Sequence, residues 1–226
     1  MERTVVVTGG TGGLGAAVTG ALLDDGWRVV VPWFAEEELA RVQEHERLTL
    51  IQADLTDPGS VAGVAEAAGE HLRALVNLVG GFAMSGRVHE TPIEDFEDQL
   101  RLNLRPTYLM TAAALPPMLA AGDGAVVCVS SRAAVQPFAG AAGYITSKAA
   151  VLKFVDVLQA EYRDDGIRAN AILPSVIDTP ANRRQMPDAD FDAWVKPAEI
   201  ACVIAFLCGD RGRVTTGGHI PVYGRA

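Results

Sequence analysis

The sequence predicts an α/β protein: a doubly wound, mainly parallel sheet of seven strands with helices on both faces. Three observations predict it. Short runs rich in β-branched residues alternate with longer stretches of helical pattern. Those runs are apolar almost throughout, as parallel strands covered on both faces have to be. Between the first run and the first helical stretch lies a turn of unusually high glycine content.

The runs at 5–7, 29–31, 48–51, 75–79, 125–129 and 167–172 read as buried strands. The helical stretches between them carry start and stop signals. Asp57-Pro58 and Thr91-Pro92 each place a capping side chain before a proline at the first helical position. Gly26 and Gly166 fall where a helix has to stop before the next strand. Alternation of this kind implies parallel strands joined by right-handed crossovers. The 226 residues suit a single domain, 1–226, undivided by any repeat, low-complexity tract or linker. The least regular stretch, 174–197, holds four prolines and an Asp-rich patch (Asp188, Asp190, Asp192) and is expected to form a mobile flap over the site.

Composition excludes several classes. With 49% hydrophobic and 21% charged residues, the chain is globular and long enough to bury a core without staples. A net charge of −9 argues against nucleic acid or an anionic membrane as partner. No apolar run reaches the roughly 20 residues that span a bilayer. A strand pattern begins already at 3–8, so no signal peptide is expected ahead of the fold. Cys128, Cys202 and Cys208 lack CxxC spacing and sit in apolar runs; reduced core thiols and a cytoplasmic location are expected. His45, His71, His89 and His219 are scattered, so no metal site is expected.

The first strand ends in Thr8-Gly9-Gly10-Thr11-Gly12-Gly13-Leu14-Gly15, and a helix pattern follows from about Ala16. Five glycines in eight positions exceed what a tight turn needs. A bound phosphate requires backbone N–H groups at close range and a helix N-terminus aimed at its charge; glycine permits that approach. The position of the loop, between the first strand and first helix of a βαβ unit, gives the pattern its weight.

Tyr144 and Lys148 are four apart in a proline-free stretch, 143–162, that reads as one long helix. Their side chains therefore share a face, one turn apart. An ammonium beside a phenol favours the phenolate and lowers its pKa, which suits proton transfer near neutral pH. Ser131 follows the 125–129 strand, at a carboxyl end, where open α/β sheets place their ligands. Its hydroxyl can hold a substrate oxygen while Tyr144 exchanges the proton.

With these residues in order, the chain resembles the short-chain dehydrogenase/reductase family. That family's Thr-Gly-x-x-x-Gly-x-Gly loop matches Thr8, Gly9, Gly13 and Gly15, and its Tyr-x-x-x-Lys matches Tyr144 and Lys148. Its serine, thirteen residues before the tyrosine, matches Ser131; only this spacing selects it over Ser130. Its asparagine on the helix after the fourth strand matches Asn103, and its adenine-contacting aspartate after the third strand matches Asp54. The match runs to Gly217-Gly218 and a closing strand at 220–222.

The resemblance implies a Rossmann-like fold and hydride transfer between NAD(P) and a ketone, aldehyde or alcohol. It implies Asn103, Ser131, Tyr144 and Lys148 as the catalytic set, with Lys148 also on the nicotinamide ribose and Asn103 supporting a water chain. The cofactor would be lined by Thr8, Gly9, Thr11, Gly13, Leu14, Gly15, Trp33, Asp54, Leu55, Asn77, Gly80, Tyr144, Lys148, Pro174, Ile177 and Thr179. An epimerase or dehydratase on the same fold, or a cofactor-sensing protein, are the alternatives. Homodimers or homotetramers are common in the family, with the Tyr144 helix at one interface; the face of Val151, Leu152, Val155 and Leu158 suits that or burial within the monomer.

Three departures stand out. The family's Asn-Asn-Ala-Gly is Asn77-Leu78-Val79-Gly80 here, which puts its sheet-bracing hydrogen bonds in doubt, and its Pro-Gly is Pro174-Ser175. The second strand ends in Pro32-Trp33-Phe34-Ala35, with neither the acidic residue of NAD-specific members nor the cation of NADP-specific ones. The lack of a cation, with Glu36-Glu37-Glu38 following, tilts the reading slightly from NADP(H) toward NAD(H). The substrate is not named by the sequence. Phe82, Met84, Met186, Phe191 and Trp194 either line its pocket or pack the flap down, and Arg132, Arg183 and Arg184 either meet an acidic group or stand in solvent.

Overall fold

The computed structural model describes residues 3–225. Strands β1 (Thr4–Thr8), β2 (Arg28–Trp33), β3 (Leu48–Gln52), β4 (Leu72–Asn77), β5 (Gly124–Val129), β6 (Ile167–Pro174) and β7 (His219–Val222) form one sheet in the order β3-β2-β1-β4-β5-β6-β7. Every pairing is parallel, so the sheet is wholly and not merely mainly parallel. Helices α1 (Gly15–Asp24), α2 (Pro58–Ala68), α3 (Ile93–Asn103), α4 (Arg105–Ala121), α5 (Ala142–Tyr162), α6 (Pro180–Gln185) and α7 (Pro197–Cys208) complete it. None of them, among the described residues, is long and apolar enough to cross a membrane.

Alternation along each strand divides the core between the two faces. Val5, Val7, Val29 and Val31 point to the side where α1 and α7 bury Val18, Leu22, Ile200, Ile204 and Leu207. Val6, Val30 and Val126 point to the other, where α2, α4 and α5 bury Val64, Met110, Met118, Val151 and Val155. Val151, Leu152, Val155 and Leu158 are thus interior to the chain, which settles between the two uses open to that face. The chain runs outward from β1 to β3, then returns to β4 and continues the opposite way. The carboxyl ends of β1 and β4 therefore flank the point of reversal, where folds of this kind place ligands.

Local chemistry explains most element ends. Asp57 caps α2 by accepting from the Ser60 N–H at 2.7 Å. Gly26 and Gly166 adopt the left-handed φ values, +86° and +80°, that close the preceding helical segments. Thr91 does not cap. Extended Pro92 takes the position before α3, one residue later, and the Thr91 hydroxyl donates to the Ser85 and Arg87 carbonyls at 3.0 Å.

Strand β4 stops at Asn77 instead of reaching Val79, because its partner β1 ends at Thr8: the Leu78 N–H is shared between the Thr8 carbonyl at 3.3 Å and its hydroxyl at 3.1 Å, and the Val79 N–H reaches only that hydroxyl. Cys128 and Cys208 are buried as expected, but Cys202 is exposed. Helix α7 turns Ala201, Ile204, Ala205 and Cys208 inward, and position 202 falls on the opposite side.

Candidate active site

The glycine loop leaves β1 and enters α1 at Gly15, where a Cβ would run into the Gly9 carbonyl; no other residue fits. Leu14 precedes the helix and provides no side-chain cap. The Ala16 N–H is taken by the Gly12 carbonyl at 3.0 Å, and no side chain caps the helix start, which suits an anion such as a pyrophosphate. The residues present fit a dinucleotide here.

A contact that the sequence does not suggest crosses this loop. Buried Thr11 donates its hydroxyl to Glu38 Oε2 at 2.9 Å. Glu38 lies on the 3-10 turn Glu36–Arg41 that follows β2, and its other oxygen accepts from Arg41 Nη1 at 2.9 Å. The expected lack of a cation after the second strand is thereby corrected: Arg41 is folded back to within 3.5 Å of the Thr11 carbonyl. The i, i+3 spacing of Glu38 and Arg41 was the only local trace of it.

Trp33 is half-buried at the end of β2, and Phe34 is exposed. Asp54 is exposed after β3, its carboxylate held by the Thr56 N–H and hydroxyl at 2.8 and 2.7 Å; these bonds keep it below its ordinary pKa. The side chains of Leu55 and Asn77 are buried, which leaves only their backbones to face a cofactor. Asn77 Nδ2 donates to Thr111 Oγ1 at 3.1 Å and to Cys128 Sγ at 3.6 Å. The bracing that the missing second asparagine put in doubt is supplied between β4, α4 and β5 by Asn77.

Helices α3 and α5 and the end of β5 bring the four candidate catalytic residues to one place. Lys148 Nζ donates to the Val129 carbonyl at 3.1 Å. A Cβ on Gly80 would fall 2.5 Å from Asn103 Oδ1 and 2.9 Å from Lys148 Nζ, so both groups converge on a backbone that only glycine supplies. Asn103 clamps the next residue: Oδ1 accepts from the Gly81 N–H at 3.0 Å and Nδ2 donates to the Gly81 carbonyl at 3.1 Å. Ser130 donates to the Lys148 carbonyl at 2.7 Å and is spent on structure. Ser131 is left facing Tyr144, its oxygen also accepting from Ala133 N–H at 3.1 Å.

Electrostatics correct one expectation. Burial pushes the Lys148 ammonium down to about 8, countered by the neighbouring Cys128 thiol. Burial also pushes the Tyr144 phenol above its ordinary value, and the facing Ser131 hydroxyl pulls it back. The anticipated lowering of Tyr144 by Lys148 is not found in this geometry: desolvation is the largest effect, the Ser131 hydroxyl opposes it, and the ammonium's hydrogen bond goes to Val129.

The 174–197 segment is better structured than its composition suggests. Ser175 donates to the Tyr223 carbonyl at 2.6 Å, and Ile177 forms a parallel bridge with Val195. Thr179 lies over the glycine loop: a Cβ on Gly13 would sit 3.0 Å from its methyl carbon. Its hydroxyl caps α6, accepting from Asn182 N–H at 3.2 Å. Asp178, between them, is nearly buried and takes two bonds from Arg183, at 2.5 and 2.9 Å, and one from Lys196 at 2.7 Å. Arg183 also stacks on Phe191, which meets buried Trp194 edge-on, so these three pack the segment down. Phe82 and Met84 are exposed beside the site, and Phe82 meets the Tyr144 ring edge-on at 5.0 Å. Pro174 is buried at the end of β6. Arg41, Asp178 and Phe138 are the residues of this region that the sequence does not single out, and Glu38 stands out there only as one of three glutamates.

The family profile described as short chain dehydrogenase matches residues 3–190. The chain belongs to the short-chain dehydrogenase family. It is 32% identical over 245 residues to 2-(R)-hydroxypropyl-CoM dehydrogenase of Xanthobacter autotrophicus, covering 99% of this chain and 98% of that one. It is 31% identical over 238 residues to cis-4-hydroxycyclohexanecarboxylate dehydrogenase of Sinomonas cyclohexanicum, covering 99% and 96%. Among solved structures, ElxO with NADP bound superposes with a TM-score of 0.91 at 25% identity, covering 99% of this chain and 98% of that one. The chain is accordingly an NAD(P)-dependent oxidoreductase of the alcohol–carbonyl class.

Proposed function

We propose that this oxidoreductase interconverts a secondary alcohol and a ketone, with Tyr144 as general acid and base. The convergence of Lys148 and Asn103 on Gly80, beside the facing Ser131 and Tyr144, carries the reading. Both named relatives are dehydrogenases whose names describe a secondary alcohol. When bound, a nicotinamide dinucleotide supplies the hydride chemistry. Ser131 then donates to the substrate oxygen, and the Tyr144 hydroxyl gives it a proton or takes one from it. Lys148, one turn along α5 and converging with Asn103 on Gly80, would hold the nicotinamide ribose. Asn103 holds the Gly80-Gly81 backbone in place, while the glycine loop, Asp54, Ile177 and Thr179 position the cofactor.

NAD(H) is the proposed cofactor, because the carboxylate of Glu38 is fastened to the glycine loop and neutralises Arg41. Residues 1–226 are read as one Rossmann-type domain in a cytoplasmic protein, with 174–197 closing over the substrate. A homodimer or homotetramer would use the outer surfaces of α4 and α5, where Tyr108 and Val157 are exposed beside Phe154. Replacement of Tyr144 by Phe tests the catalytic assignment: turnover should fall at least about 100-fold while fluorescence titration still shows NADH binding. Unchanged turnover would sink it.

A further inference from the structure

Beside the Tyr144 phenol stands a group of large apolar side chains that the fold leaves in solvent. Phe82 is 50% exposed and Phe138 is 48% exposed, with ring centroids 6.3 Å apart. Phe82 also stands edge-on against the Tyr144 ring, at 5.0 Å and 89°. Met84, more exposed still, reaches the same place: a Cβ on Gly140 would lie 3.0 Å from its methyl carbon. The two loops carrying these residues are tied together. Ser85 N–H donates to the Gly140 carbonyl at 3.0 Å, Gly86 bridges Ala141, and Asn103 fixes Gly81 immediately before Phe82. Aromatic rings grouped and held in solvent are costly unless something covers them, and such patches mark binding surfaces.

Two of the three arginines that could speak for an acidic substrate are otherwise engaged, and the third, Arg184, is exposed. Arg183 is committed to Asp178 and Phe191. Arg132 stacks on Tyr223 at 5.1 Å and donates to Gln136 at 2.7 Å.

We infer that the substrate presents an uncharged alicyclic or aromatic ring next to the reacting carbon, and that Phe82 and Phe138 form the surface on which this ring lies. Rings prefer edge-to-face or offset contact with one another, and the pair offers both an edge and a face at the phenol. This inference rests on the alcohol–ketone reading above and names the class of molecule which that site takes.

Two readouts separate the inference from the reading it rests on. In the first, kcat/KM is compared for cyclohexanone and acetophenone against butanone and acetoacetate. The ring ketones should lead by about tenfold or more, and Phe138→Ala and Phe82→Ala should bring that ratio down toward unity. In the second, saturation-transfer NMR follows binding of acetophenone, butanone and acetoacetate to the protein–NADH complex. Acetophenone should give the strongest transfer, and Phe138→Ala should weaken it. Ring binding without turnover would discard the reductase reading and leave the ring surface standing. Turnover with acetoacetate or butanone favoured would discard the ring surface and leave the reductase reading standing. A patch closed between two copies of the chain would give no ring binding, with a dimer lost in Phe138→Ala, and would likewise overturn the inference.

Discussion

The carboxylate of Glu38 accepts the hydroxyl of Thr11 at 2.9 Å, which fastens a negative charge from the turn after β2 to the middle of the glycine loop. The same carboxylate holds Arg41, so the cation nearest the loop is already neutralised. A 2′-phosphate would meet this carboxylate before it met a free guanidinium. Replacing Glu38 by Gln should keep an acceptor for Thr11 yet release Arg41. Relative affinity should then shift about tenfold toward NADPH, equivalent to about 1.4 kcal/mol. Arg41→Ala should move the ratio the other way. Fluorescence titration with both nucleotides reads it, and an unchanged ratio in Glu38→Gln would remove Glu38 from cofactor selection.

Gly80 carries a second prediction. Its Cα hydrogen faces Asn103 Oδ1 and Lys148 Nζ, at distances that leave no room for a methyl group. Gly80→Ala should displace one of the two, with an overpacking cost of about 1–3 kcal/mol. Turnover should fall well beyond the loss in Tm, because the displaced groups belong to the proposed catalytic set. A variant with normal kcat would show that the convergence is structural only.

How far the chain discloses itself depends on how far apart the interacting residues lie. The sheet is legible because each strand is a local run, such as Val5, Val6 and Val7, and the Tyr144–Lys148 pair because four residues make one helical turn. The end of β4 is not legible, since Leu78 meets a hydroxyl 70 residues away on Thr8. The Thr11–Glu38 contact spans 27 residues and the Lys196–Asp178 contact 18, and no periodicity encodes either. A charge so far along the chain reads as solvated, so the place of Arg41 against the glycine loop is not legible. Desolvation is illegible for the same reason: the helical spacing shows that Lys148 is near Tyr144, but not that both are buried.

Burial of Lys148 makes stability depend on pH in a direction opposite to that of a surface lysine pair. Its ammonium is depressed from the usual 10.5 to about 8, so between those values the unfolded chain holds a proton that the folded chain has released. Stability contributed through this group should therefore rise as pH increases from about 8 toward 10, by up to about 1.4 kcal/mol per unit. Lys148→Met lacks the proton and should lose this rise. Denaturant unfolding of both proteins at pH 7, 8, 9 and 10 gives the difference directly. A difference that stays constant with pH would mean that Lys148 titrates normally in the folded protein.

Asp178 sits between Ile177 and Thr179, and its carboxylate is the meeting point of Arg183 and Lys196, one on α6 and the other just before α7. Bonds from these two cations hold the carboxyl well below the usual carboxylate range. A depressed folded pKa means that the clasp is present throughout neutral and mildly acidic conditions and is lost only as pH falls through that low value. The 174–197 segment should accordingly resist limited proteolysis equally at pH 8 and pH 5. Asp178→Asn removes the charge that both cations share while keeping the size of the side chain. Cleavage within the segment should then rise about tenfold through a more populated open form, with a higher KM, because Thr179 would no longer be held against Gly13. Equal resistance in the variant would show that the segment is held by the Phe191–Trp194 packing and the Ile177–Val195 bridge alone.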